Sequence, residues 1–226
     1  MPTTPFAEAG SQRWLQIAVT RTPELLDQAL RSAGAIEQDD SVKWVSPLRA
    51  DGFREYRDAA ALTKLGIEKL PSRSLVSFWP NRGPVWDGLG RSIRGRAILL
   101  EAKAHIPEAA SPATQAKGDS LVKIKDALTE ARHHYAPKSK ADWSGKLYQY
   151  ANRLAFQYLL CELNQLQTRM VFLDFYNAID VGGPSTIEEW KGATSLVHAL
   201  LGLPEDLSAH GVHHAYINVC HLVGAL

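Results

Sequence analysis

The sequence predicts an α/β fold. Three observations carry that expectation: strand-like and helix-like segments alternate along the chain, good helix formers gather in capped runs, and short β-branched or aromatic runs lie between turns marked by Gly and Pro. The 226 residues, 45% apolar and 22% charged, suit a single globular domain over 1–226, with no repeat, linker or low-complexity stretch.

Taken in order, "RWLQIAVT" sets Trp14, Leu15, Ile17 and Val19 in a short run with β-branched members, and a strand is expected. Thr22 then caps a helix with Pro23 at its first position, and Gly34 closes "ELLDQALRSAG". "SVKWVSPL" reads as a second strand paired with the first. "GFREYRDAAALTKLGIEKL" reads as a helix over 53–69, stopped by Pro71. "SLVSFWP" has strand composition near 75–79, and "GPVWDGLG" is a short strand near 84–88 leading into a turn. "RAILLEAKAHI", from Arg96 to Ile106, is undecided: Ile98, Leu99 and Leu100 suit a buried strand, while Ala, Leu, Glu and Lys form helices well.

Two helices follow. "GDSLVKIKDALTEARHHYA" can be capped by Asp119 or Ser120, and residues 143–164 carry a broad apolar face. "TRMVFLDFYNAI" is a strand. A Ser185-x-x-Glu188 or Thr186-x-x-Glu189 capping box opens the next helix, and "VHHAYINVCHLVG" reads as a final strand.

Composition narrows the class. No apolar run approaches the roughly 18 residues of a membrane span. "MPTTPFAEAGSQ" lacks the basic and apolar regions of a secretory signal. Cys161 and Cys220 form no CxxC pair, so a reduced, cytoplasmic protein is expected. The net charge of +1 hides an asymmetry: residues 82–153 hold 13 Lys or Arg against 7 Asp or Glu, and the rest hold 12 against 17. A polyanion such as nucleic acid would be drawn to the first group, although solvated surface is the ordinary fate of such charges.

That basic segment contains Asp87, Glu101 and Lys103. If residues 96–105 form a strand, Glu101 and Lys103 share one face. Buried acidic groups need neutralising, and a divalent cation held by Asp87 and Glu101 would do it. Mg²⁺ takes hard oxygen ligands of this kind. Lys103 beside it can orient an attacking water and meet phosphate charge. Gly88 and Gly90 would let a nucleic-acid backbone approach. Arg91, Arg94 and Arg96 can clamp phosphates or equally sit as solvated turn residues.

"VWDGLG" followed by "ILLEAKAH" resembles the PD-(D/E)xK motif of restriction-endonuclease-like nucleases. The motif Asp falls on Asp87, the acidic residue on Glu101 and the Lys on Lys103. The resemblance implies a restriction-endonuclease-like core, α-β-β-β-α-β with a mixed central sheet flanked by helices, over about 50–180, with N- and C-terminal extensions. It also implies an acidic residue on the first helix, Glu55 or less well Glu68, and a Gln on the following helix, Gln149 with Gln157 behind it. Two departures stand out: Trp86 replaces the Pro before the Asp, and Arg153 follows Gln149 where the best-known pattern has Tyr. The implied activity is a Mg²⁺- or Mn²⁺-dependent hydrolase cutting DNA by metal-activated water, with a homodimer open. The alternatives are a nucleic-acid-binding or assembly protein on the same fold without turnover, and an unrelated helical interaction protein.

Other motifs point nowhere sharper. His133 and His134 end a helix, where they compensate its dipole. His210, His213, His214 and His221, near Cys220, lack the paired spacing of zinc ligands, so no zinc site is expected. There is no phosphate-binding GxxxxGK[ST] loop and no GxSxG, and "GLGRSIRG" lacks the strand–helix setting of a dinucleotide site.

Overall fold

The computed structural model describes residues 4–224. Helices α1 (Gly10–Arg21) and α2 (Pro23–Ser32) come first, then strand β1 (Val42–Ser46) and helices α3 (Asp58–Lys64) and α4 (Leu75–Phe78). Strands β2 (Gly88–Ser92) and β3 (Ala97–Lys103) are followed by helices α5 (Gly118–Tyr135) and α6 (Tyr148–Gln157). Helix α6 runs on into a π-helical turn, Tyr158–Leu163. Strand β4 (Thr168–Tyr176), helix α7 (Ile187–Leu201), strand β5 (Val212–Asn218) and the one-turn helix α8 (Cys220–Val223) follow. The five strands make one mixed sheet in the order β1-β2-β3-β4-β5. The pairs β1–β2 and β2–β3 are antiparallel, and β3–β4 and β4–β5 are parallel. The fold is α/β, with helices on both faces of the sheet.

The undecided run is a strand because it is central. Ile98, Leu100 and Ala102 join the core under α1 and α2, and Ala97 and Leu99 join the core under α5 and α6. A strand buried on both faces reads as an unbroken apolar run, which is why no period showed in the sequence. Odd positions of β3 and even positions of β4 therefore share the α6 face, including Glu101, Lys103, Phe172 and Asp174.

Several expected elements differ. "RWLQIAVT" lies in α1, not a strand: Trp14 and Ala18, and Leu15 and Val19, are one helical turn apart and all buried on the sheet. Burial outweighs the propensity cost of Ile17 and Val19, a few tenths of a kcal/mol each, about 0.5 at most. Strand β1 accordingly pairs with β2. "SLVSFWP" forms α4, where Ser74 Oγ accepts from Ser77 N at 3.2 Å. The helix over 53–69 shrinks to α3, since Phe53 (φ 57°) and Asp58 (φ 52°) take left-handed backbone and Tyr56 bridges to Trp86 in extended form. The helix expected over 143–164 begins only at Tyr148, after Leu147 in left-handed backbone. Neither Asp119 nor Ser120 caps α5, whose N-cap is Lys117. At α7 the cap is Thr186, which accepts from Glu189 N at 3.3 Å. The last strand stops at Asn218, and residues 220–223 are helical. Among the described residues, no helix is long and apolar enough to cross a membrane.

Candidate active site

The β2–β3 hairpin pairs Gly88 with Leu100, so Asp87, one residue before β2, comes level with Glu101. Asp87 Oδ2 accepts from Ala102 N at 2.8 Å. Glu101 and Lys103 stand on the same face of β3, and Lys103 Nζ donates to Glu101 Oε1 at 2.5 Å and to Gln149 Oε1 at 2.9 Å. Gln149 is set by the start of α6: Leu147 takes left-handed backbone (φ 67°), and Ser111 Oγ accepts from Gln149 N at 2.8 Å. One turn further along α6, Arg153 Nε donates to Glu101 Oε2 at 2.7 Å and Nη2 to Val85 O at 2.8 Å. Its guanidinium lies 4.8 Å from the centre of the Trp86 ring. Thus Trp86, which stands where a Pro was expected, supplies an aromatic seat for Arg153.

Burial dictates the electrostatics. Glu101 is 1% exposed and Arg153 is 3% exposed. Burial alone would raise the Glu101 pKa, but Arg153 and Lys103 overcome it and hold the carboxyl below its usual range. Asp87 goes the other way: burial first, then the Glu101 charge, push it up to about 8. Glu55 is raised by burial and by Glu101, although Gln12 Nε2 donates to its Oε1 at 3.1 Å. The bridge between Tyr56 and Trp86 draws Glu55 into this field from an extended segment, not from a helix. Asp174, in register with Lys103, is raised by burial against the opposing effect of His214.

Four carboxyl groups therefore surround two cationic side chains. Asp87 Oδ1 has no hydrogen-bond partner among the described residues. Carboxyl groups outnumber cationic side chains here, and burial with the Glu101 charge raises the Asp87 pKa to about 8, so a divalent cation held by oxygen would balance the charge.

Sequence reasoning missed two parts of this arrangement. Arg153 was legible only as a departure from a pattern; its spacing of four from Gln149 on a helix already aims both at one target. The other is a polar chain beside Lys103. Tyr150 OH lies 2.6 Å from His198 Nε2 and 3.1 Å from His214 Nε2, and His214 Nδ1 lies 3.6 Å from Asp174 Oδ2. His198 Nδ1 meets Pro204 O at 2.8 Å, and burial, then His214, lower its pKa to about 4. Tyr150 stacks on Phe172 with centroids 4.1 Å apart. Tyr150, Phe172, Asp174, His214 and Lys103 line a cavity of about 30 Å³, room for roughly two waters.

Other expected residues are not brought together with Asp87. Arg91, Arg94 and Arg96 sit at the opposite end of the hairpin. Arg91 donates to Leu65 O at 2.7 Å and Gly95 O at 3.0 Å, Arg94 pairs with Asp39 at 2.6 Å, and Arg96 pairs with Glu37. They are committed to local partners there. Glu68 is exposed beyond α3, and Gln157 is buried, donating to Thr168 O and His210 O at 3.2 Å. Gly88 and Gly90 face Trp44 and Val42 on the other side of the sheet, where they allow close strand packing and no approach by nucleic acid. Comparison with known proteins finds no matching family model, no similar curated protein and no similar solved structure.

Proposed function

We propose that this chain is a Mg²⁺- or Mn²⁺-dependent nuclease, hydrolysing phosphodiester bonds of DNA on a restriction-endonuclease-like core. The observation that carries the reading is the hairpin register that sets Asp87 level with Glu101, with Lys103 on the same strand face. The order α2, β1, α3, α4, β2, β3, α5, α6, β4 supports the α-β-β-β-α-β plan if the short α3 and α4 are an insertion; the first strand is then β1 at 42–46, not 75–79, and the core starts before residue 50.

Asp87 and Glu101 would hold the ion. A bound Mg²⁺ supplies Lewis-acid charge for a phosphoryl oxygen and lowers the pKa of a coordinated water. Lys103 Nζ, steadied by Gln149 Oε1, orients the attacking water and offsets charge on the phosphate. Arg153 keeps Glu101 ionised and fixed without touching the reacting atoms. Glu55 adds a further carboxylate from the segment before α3.

The test is cleavage of linear, supercoiled and single-stranded DNA by the full chain with Mg²⁺ or Mn²⁺. Asp87→Asn and Lys103→Ala should each lower the rate by about 100-fold or more while the circular dichroism spectrum is kept. A wild type that cuts no substrate with either ion sinks the reading. A second reading has one observation in its favour: both oxygens of Glu101 are already engaged, by Lys103 and by Arg153. On that reading the cluster is a buried ion-pair network in a DNA-binding protein without turnover. DNA would then be bound and left uncut, and Lys103→Ala would change stability alone.

A further inference from the structure

At the other end of the sheet three donors from distant parts of the chain converge. His134 closes α5, Glu162 lies in the π-helical turn after α6, and His210 lies in the short turn before β5. His134 Nε2 is 3.1 Å from His210 Nδ1 and 3.7 Å from Glu162 Oε1, and all three donor atoms lie within 4.8 Å of one another. Each residue is half-buried. We propose that His134, Glu162 and His210 form a metal site for a transition ion of the Zn²⁺ class, separate from the carboxylate cluster.

The distances favour this ion. Zinc–nitrogen and zinc–oxygen bonds of about 2.0–2.1 Å in a tetrahedron set neighbouring ligand atoms about 3.3 Å apart. The observed 3.1 and 3.7 Å bracket that edge, and the third pair, within 4.8 Å, closes by side-chain rotation. Two imidazoles and one carboxylate suit Zn²⁺ and its neighbours, whereas Mg²⁺ prefers oxygen throughout. A lone histidine at a helix end needs no ligand to explain it, but here one from α5 meets two donors from later elements. The π turn matters too, because its wider winding takes Glu162 out of α-helical register, and such turns gather at functional sites. Beside the donors, the Tyr135 ring packs edge-on against both histidines, 4.8 Å from His134 and 5.2 Å from His210. Its hydroxyl is buried without a hydrogen-bond partner among the described residues.

Gln157 ties this corner to the sheet by donating to Thr168 O, the first residue of β4, and to His210 O. Lys103 and Asp174 lie at the opposite, C-terminal ends of β3 and β4, so the two sites are separated by the length of the strands. An ion here would clamp α5, the π turn and the entry to β5 together, a structural role independent of nuclease activity.

The experiment strips the full-length protein with a chelator, then titrates Zn²⁺ against a chromophoric competitor and records the visible spectrum with Co²⁺. The expected result is one tight equivalent with the intense bands of tetrahedral Co²⁺, any ion taken by the carboxylate cluster being a weaker second equivalent without such bands. His134→Ala, His210→Ala and Glu162→Gln should each weaken binding by about 100-fold or more. The double variant Asp87→Asn, Glu101→Gln should bind as the wild type does. If a histidine variant does not fold, the half-buried Glu162→Gln still decides. No tight equivalent, a Co²⁺ spectrum without tetrahedral bands, tight binding indifferent to Glu162→Gln, or tight binding lost in the Asp87, Glu101 double variant overturns the proposal.

Discussion

At Asp87, burial and the neighbouring Glu101 move the carboxyl pKa from 3.8 to about 8. Ionising it then costs more in the folded chain than in the unfolded one, so stability of the metal-free protein falls as pH rises from 3.8 through about 8. Asn keeps an acceptor for Ala102 N and carries no charge. Asp87→Asn should therefore leave stability near pH 4 unchanged and raise it by about 2 kcal/mol at pH 9, a figure discounted because Asp87 is part-exposed. Denaturant titrations at the two pH values measure this, and equal stabilities at pH 9 would refute it. Arg153 behaves in the opposite sense. Arg153→Leu strands Glu101 as a buried charge with Lys103 alone, and a loss of about 3–5 kcal/mol is expected. Thermal unfolding at neutral pH checks it, and a loss under about 1 kcal/mol would mean that Glu101 does not depend on Arg153.

The elements show what a side chain's neighbours can and cannot reveal in a sequence. Helix α2 between Thr22 and Gly34, strand β4 and helix α7 were legible because stops and apolar spacing agreed, with a bonded cap at Thr186; helix α5 was legible from its helix formers, although neither expected residue caps it. Residues 14–19 were misread because Trp14, Leu15, Ile17 and Val19 look like a strand until the window reaches Gly10 and Arg21. Residues 75–79 were misread because Phe78 and Trp79 are strand formers, while the Ser74 cap decides the turn. The core of the candidate site, Asp87, Glu101, Lys103 and Gln149, was legible from spacing and resemblance. Asp174, His214 and Tyr150 were not, since only the β3–β4–β5 register and α6 bring them near Lys103. The pairing of β1 with β2 depends on Gly90, where an added Cβ would lie 2.5 Å from Val42 Cγ1. Gly90→Ala should cost about 1–3 kcal/mol by forcing β1 and β2 apart. Chemical denaturation reads this, and an unchanged midpoint would show that Val42 moves aside freely.

Across the whole molecule, the basic excess of residues 82–153 has a defined location once the arginines of the hairpin turn are set aside as locally paired. Exposed Arg82, Lys117, Lys125, Lys138, Lys140 and Lys146 remain, and three of them, Lys117, Lys140 and Lys146, lie at the start of α5 and in the connection to α6. If DNA is the partner, these lysines contact phosphates. Changing all three to Glu should weaken binding uniformly across sequences and flatten the dependence of affinity on salt by roughly one unit of slope per lost contact. Fluorescence anisotropy over a salt series measures it, and an unchanged slope would place DNA elsewhere. The hairpin has one more consequence, for the order in which the chain assembles. Asp87 and Glu101 belong to a local hairpin, whereas Arg153 arrives on α6 and β3 meets β4 only across a long connection. Local contacts cost less closure entropy and form first. The two carboxylates thus face each other before their strongest counter-charge is in place, and docking of α6 is the late step that locks them. Arg153→Leu should accordingly speed unfolding far more than it slows folding, a difference that stopped-flow kinetics resolves.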